Sequence, residues 1–312
     1  MKILVTGACG YKGSVLVPKL LALGHEVLAY DTQWFGNYLP QHAKLTVQNI
    51  DTRTLDENTM PAVDTVIHLA SVANDPCGDL NPALTWEISA SASMRLAAAA
   101  VHRGVKQFIY ASSASVYGIK EEERIVEDLP LTPISVYNRA KMVTERVLLS
   151  YAGKMIVQVI RPATVCGLSP RMRLDVAVNL LTMQALSRRR ITVLGGSQYR
   201  PNIHIDDITD LYCWLLDRPD VQGIFNAGWE NLAVGDMAKM IGEITDAEIV
   251  IEPSNDPRSY RLDSTKLGNA GFVAKKTVRN AIDEIVDAYK TRKLIEAENM
   301  YNVNWMRGHH FT

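Results

Sequence analysis

Two patterns of apolar and polar positions alternate along the first half of the chain. Short apolar runs bounded by glycine or polar residues are typical of buried strands. We predict such strands at Lys2–Thr6, Glu26–Tyr30, Leu45–Asn49, Thr65–Leu69, Gln107–Ala111 and Met155–Ile160. Apolar residues at helical spacing predict helices over Ser14–Leu23, Pro82–Arg103 and Tyr137–Tyr151. Strands separated by helices imply right-handed crossovers, so the pattern predicts an α/β fold with a doubly wound parallel sheet.

The pattern loosens after about Gly167. Helical spacing recurs over Arg171–Arg189, Asp207–Leu216 and Ala233–Thr245. Short strands are predicted at Ile191–Leu194, Ile203–Ile205, Gly223–Ala227 and Glu248–Ile251. These elements indicate a smaller lobe beside the main sheet. The last dozen residues have the character of a tail and predict no role.

A glycine-rich turn joins the first strand to the first helix. Gly7, Gly10 and Gly13 are spaced G-x-x-G-x-x-G, which differs from the common G-x-G-x-x-G. Residues without Cβ let backbone N–H groups approach a pyrophosphate, which then faces the helix N-terminus. Lys12 lies either near that anion or in solvent at the helix start. Asp31 ends the second strand, where a carboxylate accepts hydrogen bonds from a ribose diol and repels a 2′-phosphate, which favours NAD over NADP.

Ser113, Tyr137 and Lys141 form the candidate catalytic set. Tyr137 and Lys141 are four residues apart, on one face of a predicted helix. A free tyrosine is a poor base near neutral pH, but a nearby ammonium and a positive nicotinamide favour its phenolate. That phenolate can take a proton from a substrate hydroxyl while hydride leaves the same carbon. Ser113 ends the fifth strand, at the edge where ligands bind, and can hold the substrate oxygen.

Charge and composition exclude several classes of protein. The 312 residues carry a net charge of −1, so nothing indicates binding to nucleic acid or an anionic membrane. No apolar run is long enough to span a bilayer, and a strand in the first residues argues against a signal peptide. The four cysteines are scattered without a CxxC pair, which favours free thiols in a reducing cytoplasm over metal ligands or disulfides.

The motifs resemble the extended short-chain dehydrogenase/reductase family, and within it the nucleotide-sugar epimerases and dehydratases. The resemblance runs over roughly residues 1–290 and rests on residues 6–13, Asp31, residues 112–118 and residues 137–141. It implies a Rossmann domain over 1–167 that holds NAD, its sheet completed by later segments. It also implies that residues 168–312 mainly bind a nucleoside-diphosphate sugar.

The same resemblance implies site residues and a partner. The cofactor-binding residues would be Gly7, Gly10, Tyr11, Lys12, Gly13, Asp31, Asp51, Thr52, Leu69, Ala70, Val72, Tyr137, Lys141 and Pro162. Substrate would be bound by Ser113, Asn179, Arg200 and Arg258, and guanidinium groups suit a diphosphate. Family members commonly form homodimers through a four-helix bundle made by the helices equivalent to Pro82–Arg103 and Tyr137–Tyr151.

Departures from the family pattern narrow the chemistry. Sugar-nucleotide 4,6-dehydratases usually carry Asp-Glu after the catalytic Ser or Thr, whereas this chain has Ala114 and Ser115. Ser89 and Thr164 replace asparagines and put a standard UDP-galactose 4-epimerase in doubt. We therefore expect NAD-dependent oxidation at C4 of a nucleotide sugar, as a 4-epimerase or a 4-dehydrogenase, in the assembly of bacterial cell-surface polysaccharide. The alternatives are a 4,6-dehydratase or ketoreductase, and a non-catalytic NAD-binding sensor or scaffold.

Overall fold

The computed structural model describes residues 1–254, 259–309 and 311, and its main layer is a seven-stranded parallel sheet. The strands in these ranges are β1 (Lys2–Thr6), β2 (Glu26–Asp31), β3 (Leu45–Asn49), β4 (Thr65–His68), β5 (Gln107–Ala111), β6 (Ile156–Pro162), β7 (Thr164–Cys166), β8 (Arg190–Leu194), β9 (Tyr199–His204), β10 (Gly223–Ala227), β11 (Glu230–Ala233) and β12 (Glu248–Glu252). The helices are α1 (Gly13–Ala22), α2 (Asp75–Leu80), α3 (Pro82–Trp86), α4 (Ser93–His102), α5 (Val136–Leu149), α6 (Ala177–Arg188), α7 (Ile205–Leu215), α8 (Val234–Thr245), α9 (Thr265–Asn269), α10 (Val278–Lys290) and α11 (Asn302–His309).

The main sheet has the strand order β10-β6-β5-β4-β1-β2-β3. From β1 the chain builds outward to β3 and then returns to place β4 on the other side of β1. This reversal opens a crevice at the carboxyl ends of β1 and β4, the usual ligand site of such sheets. Ile3, Leu4 and Val5 are fully buried because helices cover both faces. The predicted doubly wound parallel fold is confirmed.

The second half of the chain contributes to both the main sheet and a smaller lobe. β10, predicted from sequence as a strand, pairs in parallel with β6 and completes the main sheet. In the lobe, β11, β9 and β7 form one sheet, and β12 pairs with β8 in another. Helices α6, α8 and α10 pack beside them through buried aliphatic residues such as Leu181, Ile241 and Ile282. Helix α10, which the sequence analysis did not predict, begins with a capping box formed by Thr277 and Asn280.

The long helix predicted over Pro82–Arg103 is continuous but not uniformly α-helical. Between α3 and α4 the chain makes a π-helical turn at Glu87–Ala92. This turn brings Ser89 to the loop after β4, where its Oγ accepts a hydrogen bond from the Val72 N–H at 3.1 Å. Such turns depend on tertiary contacts, so the apolar spacing could not indicate it.

The helix predicted over Arg171–Arg189 begins only at Ala177. Residues 171–176 are not helical, and their backbone bonds to α1 and to the segment before α11 instead. The Arg171 N–H donates to Ser14 Oγ at 3.3 Å, and the Leu174 N–H donates to the Met300 carbonyl at 2.8 Å. Because these donors bond to distant segments, the helix starts six residues later than predicted.

The end of the chain forms helix α11 and packs against the main domain. Met306 is buried with Val72 and Ile88, and Trp305 Nε1 donates to the Trp34 carbonyl at 2.8 Å. Phe311 stacks on Trp34 with ring centroids 4.6 Å apart. This segment, for which the sequence predicted only a tail, is therefore a helix packed against the main domain.

A buried ion pair joins α5 to β6. Arg161 and Glu145 are 2% and 1% exposed, and two nitrogens of the guanidinium donate to the carboxylate at 3.0 and 2.7 Å. Ser112 donates to the same carboxylate. Arg161 Nη1 donates to Tyr117 Oη at 2.7 Å, and that hydroxyl donates to Asn226 on β10 at 2.8 Å. The network links the helix that carries Tyr137 to β6, to β10 and to the residue that follows β5.

Across the described residues, every helix is too short or too polar to cross a lipid bilayer.

Removing one partner of the Glu145–Arg161 pair should be costly. We expect Arg161→Met to lower the free energy of unfolding by about 3–5 kcal/mol, because it leaves a buried carboxylate without its counter-ion. The double variant Glu145→Leu/Arg161→Met should recover most of that loss. Urea unfolding followed by circular dichroism measures both.

The control for this prediction is Asp246→Asn, which removes an exposed pair with Arg189. It should change the free energy of unfolding by less than about 0.5 kcal/mol. If the double variant is less stable than Arg161→Met, the buried charge is not the cause of the loss.

Candidate active site

A cleft of about 500 Å³ opens at the carboxyl ends of β1, β4 and β5. One end is formed by the glycine turn and Asp31, and the other by Ser113, Tyr137 and Lys141. Most of the residues predicted from sequence line it. They are Gly7, Gly10, Tyr11, Lys12, Gly13, Asp31, Asp51, Thr52, Leu69, Ala70, Ser113, Tyr137, Lys141, Pro162 and Arg200.

The glycine turn admits no side chains at two of its positions. A Cβ atom at Gly13 would lie 2.3 Å from the Ala8 carbonyl oxygen, and one at Gly7 would lie 2.6 Å from the Ala70 nitrogen. Gly7 also has a φ of +69°, in the region that favours glycine. The turn leads into α1, whose N-terminus has no acidic residue in its first turn. This arrangement suits a diphosphate, since it combines close backbone approach with the positive end of a helix.

Asp31 lies beside this turn. Its two carboxylate oxygens accept hydrogen bonds from the Cys9 N–H at 2.9 Å and the Gln33 N–H at 2.7 Å. Burial raises the pKa of Asp31, and these backbone donors act in the opposite direction. The carboxylate is thereby held in one orientation at the edge of the cleft, where a ribose diol can donate to it.

Two of the other predicted cofactor residues have contacts that the sequence did not indicate. Asp51 caps a 3₁₀ turn and binds the Arg53 guanidinium at 2.8 Å, which holds the pKa of Asp51 below its usual range despite partial burial. Val72 does not line the cleft; it is buried behind it with Cys77 and Met306. Val72 therefore supports the wall of the cleft by packing and does not face its interior.

The catalytic set is assembled by β5 and α5. Ser135 caps α5 by accepting from the Asn138 N–H, and this helix start aims Tyr137 into the cleft. One turn later, Lys141 is 2% exposed and donates to the Ala111 carbonyl at 2.8 Å. Its ammonium lies 5.8 Å from the centroid of the Tyr137 ring. Ser113 follows β5, and its Oγ is 2.7 Å from Ser115 Oγ.

Burial dominates the electrostatics of this set. It raises the pKa of Tyr137 to about 12, with Asp75 adding to the effect and a hydrogen bond to Ser113 opposing it. It lowers the pKa of Lys141 to about 7, assisted by the positive charge of Lys12. Burial and Arg173 likewise lower the pKa of Lys12 to about 8. From the sequence we expected nearby positive charge to favour the phenolate of Tyr137, whereas desolvation, which disfavours the charged form, is the largest influence on its pKa.

The predicted substrate residues do not share one environment. Arg200 lines the cleft, as do Arg173 and Asp175, which form an ion pair at 2.9 Å. Asn179 is fully buried, and its amide bonds to Gly167, to Tyr11 Oη at 3.0 Å and to the Arg173 carbonyl at 2.9 Å. Its polar groups are thus used within the protein. Arg258 lies outside the described residues.

The positions after Ser113 carry no carboxyl group. Ala114 is 1% exposed, and Ser115 donates to Asn138 Oδ1 on α5. Thr164 lines the cleft, and Ser89 is fully buried against the loop after β4. The acid and base that a 4,6-dehydratase uses at the positions after Ser113 are therefore replaced by an apolar side chain and a hydroxyl.

Several cleft residues were not predicted from the sequence. Asn74 has a φ of +74°, which is uncommon for a residue other than glycine, and it caps α2 by accepting from the Cys77 N–H at 3.0 Å. Asp75 follows it and faces Tyr137 closely enough to raise its pKa. Asn302 reaches the cleft from the end of the chain. Long-range packing places all three, and no local motif marks them.

One cluster of potential metal ligands lies away from the cleft-lining residues. His204, Asp206 and Glu284 bring their ligand atoms within 4.8 Å of one another. The ammonium of Lys276 contacts both carboxylates, at 2.7 Å from Asp206 and 2.5 Å from Glu284. Lysine already supplies the positive charge that a cation would bring, so we assign no metal to this cluster.

Comparisons with known proteins agree with this geometry. The model of the NAD dependent epimerase/dehydratase family matches residues 3–228. The UDP-glucose 4-epimerase of Lactobacillus helveticus is 27% identical, with 94% of this chain and 97% of the relative aligned.

Two solved structures extend the likeness to the whole fold. The structure of MoeE5 in complex with UDP-glucuronic acid and NAD has a TM-score of 0.84 and 26% identity, covering 94% of this chain and all of that one. TunA, described as an NAD-dependent NDP-hexosamine 5,6-dehydratase involved in tunicamycin biosynthesis, has a TM-score of 0.83 and 25% identity, covering 93% and 98%. The likeness expected from the motifs is confirmed.

The glycine turn gives a direct test of steric fit. We expect Gly13→Ala to lower the free energy of unfolding by at least about 2 kcal/mol and to abolish stabilisation by added NAD, because the new Cβ meets a carbonyl oxygen. Thermal unfolding with and without NAD measures both effects. Gly268→Ala is the control, since a Cβ there meets nothing within 4 Å. Equal behaviour of the two variants would contradict the steric account.

Lys141 should make stability depend on pH. Its folded pKa of about 7 lies below the ordinary value of 10.5, so between these values the unfolded chain binds the extra proton. The stability of the cofactor-free protein should therefore rise with pH across this window. We expect Lys141→Met to be more stable than the parent by about 2–4 kcal/mol at pH 6, with the difference vanishing near pH 10.5.

Urea titrations at several pH values measure this difference, and the exposed Lys106→Met serves as control. A constant difference between Lys141→Met and the parent across the whole pH range would contradict the assignment of the lowered pKa to Lys141.

Proposed function

Because the chain belongs to the NAD-dependent epimerase/dehydratase family, we propose that it oxidises C4 of a nucleoside-diphosphate sugar. The observation that carries this proposal is the convergence of Ser113, Tyr137 and Lys141 at one end of a cleft whose other end is formed by the glycine turn and Asp31. The cleft thus offers proton-transfer groups at one end and groups that suit a dinucleotide at the other.

Tyr137 is the proposed base. It removes the proton of the 4-hydroxyl, and Ser113, whose side chain faces the same part of the cleft, holds that oxygen. Burial raises the pKa of Tyr137 to about 12, so Tyr137 can act as a base only if positive charge beside it stabilises the phenolate. Lys141, whose Nζ lies 5.8 Å from the ring centroid, supplies part of that charge in its protonated form. Bound NAD supplies the acceptor for the C4 hydride and, in its oxidised form, a positive ring.

The residues proposed to hold NAD are Gly7, Gly10, Tyr11, Lys12, Gly13, Asp31, Asp51, Thr52, Leu69, Ala70, Val72, Tyr137, Lys141 and Pro162. The glycine turn and the start of α1 suit the diphosphate. Asp31 suits the diol of the adenosine ribose, and its carboxylate repels the 2′-phosphate of NADP. Val72 contributes indirectly, since it is buried behind the cleft wall.

On the substrate side, Arg200 is the proposed contact to the diphosphate, because a guanidinium donates two parallel hydrogen bonds to such a group. Arg258 stays a predicted contact. Asn179 also stays a predicted contact, and its amide would have to exchange a bond within the protein for one to substrate. The relatives named for UDP-glucose and the neighbour solved with UDP-glucuronic acid make UDP-sugars the first substrates to test.

The fate of the keto sugar decides the net reaction. If it turns over within the cleft, hydride returns to its other face and the protein is a 4-epimerase, as the similar protein from Lactobacillus helveticus is named. If it leaves, the protein is a 4-dehydrogenase and the reduced cofactor must be reoxidised. Elimination of water is disfavoured by Ala114 and Ser115, although a dehydratase is among the structural neighbours.

The setting and assembly of the protein stay predictions. A homodimer built on a four-helix bundle, a cytoplasmic location and a role in cell-surface polysaccharide assembly rest on resemblance alone. Light scattering coupled to size-exclusion chromatography measures the oligomeric state directly.

Replacing the proposed base should separate catalysis from binding. We expect Tyr137→Phe to lower kcat by about 10²–10⁴-fold, because the ring remains but the proton acceptor is lost. NAD content should stay near that of the parent protein. The assay uses UDP-, GDP-, CDP- and dTDP-sugars, with absorbance at 340 nm and product masses followed together.

Tyr151→Phe, outside the cleft, is the matched control and should keep full activity. Accumulation of NADH indicates a dehydrogenase, and a changed configuration at unchanged mass indicates an epimerase. Loss of water would replace the proposal with a dehydratase. Bound NAD without conversion of any sugar, together with no effect of Tyr137→Phe, would favour the sensor or scaffold.

A further inference from the structure

Arg171 is a buried cation with an unused donor. Its side chain is 3% exposed and lines the cleft, yet its Nε is buried without a hydrogen-bond partner among the described residues. Unpaired buried donors are uncommon because they cost the free energy of lost hydration. Because Nε itself is enclosed by protein, an anionic ligand in the cleft would be attracted by the charge of the whole guanidinium group.

The end of the chain holds this guanidinium in place. One terminal nitrogen, Nη2, donates to Asn302 Oδ1 at 2.6 Å and to the Asn299 carbonyl at 3.4 Å. The other, Nη1, donates to the Met172 carbonyl at 3.3 Å. Asn302 is 4% exposed and belongs to α11, which packs against α2. The orientation of Arg171 is therefore set by residues about 130 positions away in the sequence.

The guanidinium lies at the glycine-turn end of the cleft. The central carbon of the guanidinium is 4.1 Å from the ring centroid of Phe35, which lies four residues after Asp31. The negative charge of Asp31 acts to raise the pKa of Arg171. Its own N–H bonds to Ser14 in the first turn of α1. Burial and the neighbouring Arg173 lower the pKa of Arg171 to about 10, so the group stays charged at neutral pH. The contacts put Arg171 between the start of α1, proposed for the diphosphate, and Asp31, proposed for the adenosine ribose.

The C-terminal segment, defined here as residues 298–309 and 311, has further bonds to the same region. Asn299 Nδ2 donates to the Phe35 carbonyl at 3.0 Å and to Tyr38 Oη at 2.7 Å. Trp305 and Phe311 contact Trp34. Trp34 and Phe35 both line the cleft. The segment thus braces the loop that follows Asp31 as well as Arg171.

We propose that Arg171 binds the diphosphate of NAD and that the C-terminal segment, through Asn302, positions it there. The inference rests on the cofactor site proposed above. Guanidinium groups bind phosphates through short charge-assisted hydrogen bonds, and a group already fixed in place loses little entropy when it does so. The C-terminal segment is then part of the cofactor site, and its contacts govern how firmly NAD is retained.

Binding measurements on the full chain test this inference. Equilibrium dialysis gives the dissociation constants of NAD, of ADP-ribose, which keeps the diphosphate, and of adenosine, which lacks it. We expect Arg171→Met to weaken NAD and ADP-ribose by about 10–100-fold, the loss of one charge-assisted contact, and to leave adenosine unchanged. Arg307→Met, an exposed arginine on α11, should change none of the three.

Asn302→Ala tests the positioning role separately. It should weaken NAD and ADP-ribose by about 3–10-fold, whereas Asn304→Ala, exposed on the same helix, should have no effect. In the double variant Arg171→Met/Asn302→Ala, the loss should equal that of Arg171→Met alone, because Asn302 acts through the arginine. If Arg171→Met does not fold, Asn302→Ala tests the inference alone: it should weaken NAD and ADP-ribose and leave adenosine unchanged.

The outcomes distinguish this inference from the proposed function. If the parent protein binds no NAD, the proposed cofactor site is wrong. If the parent binds NAD but Arg171→Met leaves all three ligands unchanged, the inference is overturned while the cofactor site stands. An equal loss for adenosine also overturns it, since Arg171 would then shape the nucleoside pocket instead of binding the diphosphate.

Discussion

The structure depends on the close approach of two backbone segments, the glycine turn and the loop after β4. A Cβ atom at Gly7 would lie within 2.8 Å of both the nitrogen and Cα of Ala70, and Gly13 leaves equally little space beside Ala8. Because β1 and β4 are neighbours at the point where the strand order reverses, this approach decides where the crevice opens. The start of α1, Asp31 and the loop after β4 all take their positions from it.

The catalytic end of the cleft has a different support. The buried Glu145–Arg161 pair, with Ser112, Tyr117 and Asn226, ties α5 to β6, to β10 and to the residue that follows β5. Tyr137 and Lys141 project from the same helix, so their distance from Ser113 depends on that polar network. Burying an ion pair contributes little net stability, but a broken one is costly. The network therefore restrains the position of α5 more than it adds to stability.

Placing Lys141 and Lys12 in a partly desolvated cleft has an energetic cost, visible in their lowered pKa values. Residues at functional sites are often held in such unfavourable states by the surrounding fold. The positive φ of Asn74 and the π-helical turn at Glu87–Ala92 are further departures from regular geometry beside the cleft. The end of the chain packs beside these departures, since Met306 is buried with Ile88, while Asn302 and Trp305 accept from Arg171 and donate to Trp34 respectively.

Local patterns in the sequence are enough to predict the strands and crossover helices of the doubly wound sheet, the glycine turn, and the candidate residues Asp31, Ser113, Tyr137 and Lys141. These features follow from local spacing, which a linear pattern records. Tertiary structure alone decided that Asn179 is enclosed, that Arg171 bonds to Asn302 and that burial raises the pKa of Tyr137. Those outcomes arise from contacts between distant segments and from desolvation, neither of which depends on neighbouring residues in the chain.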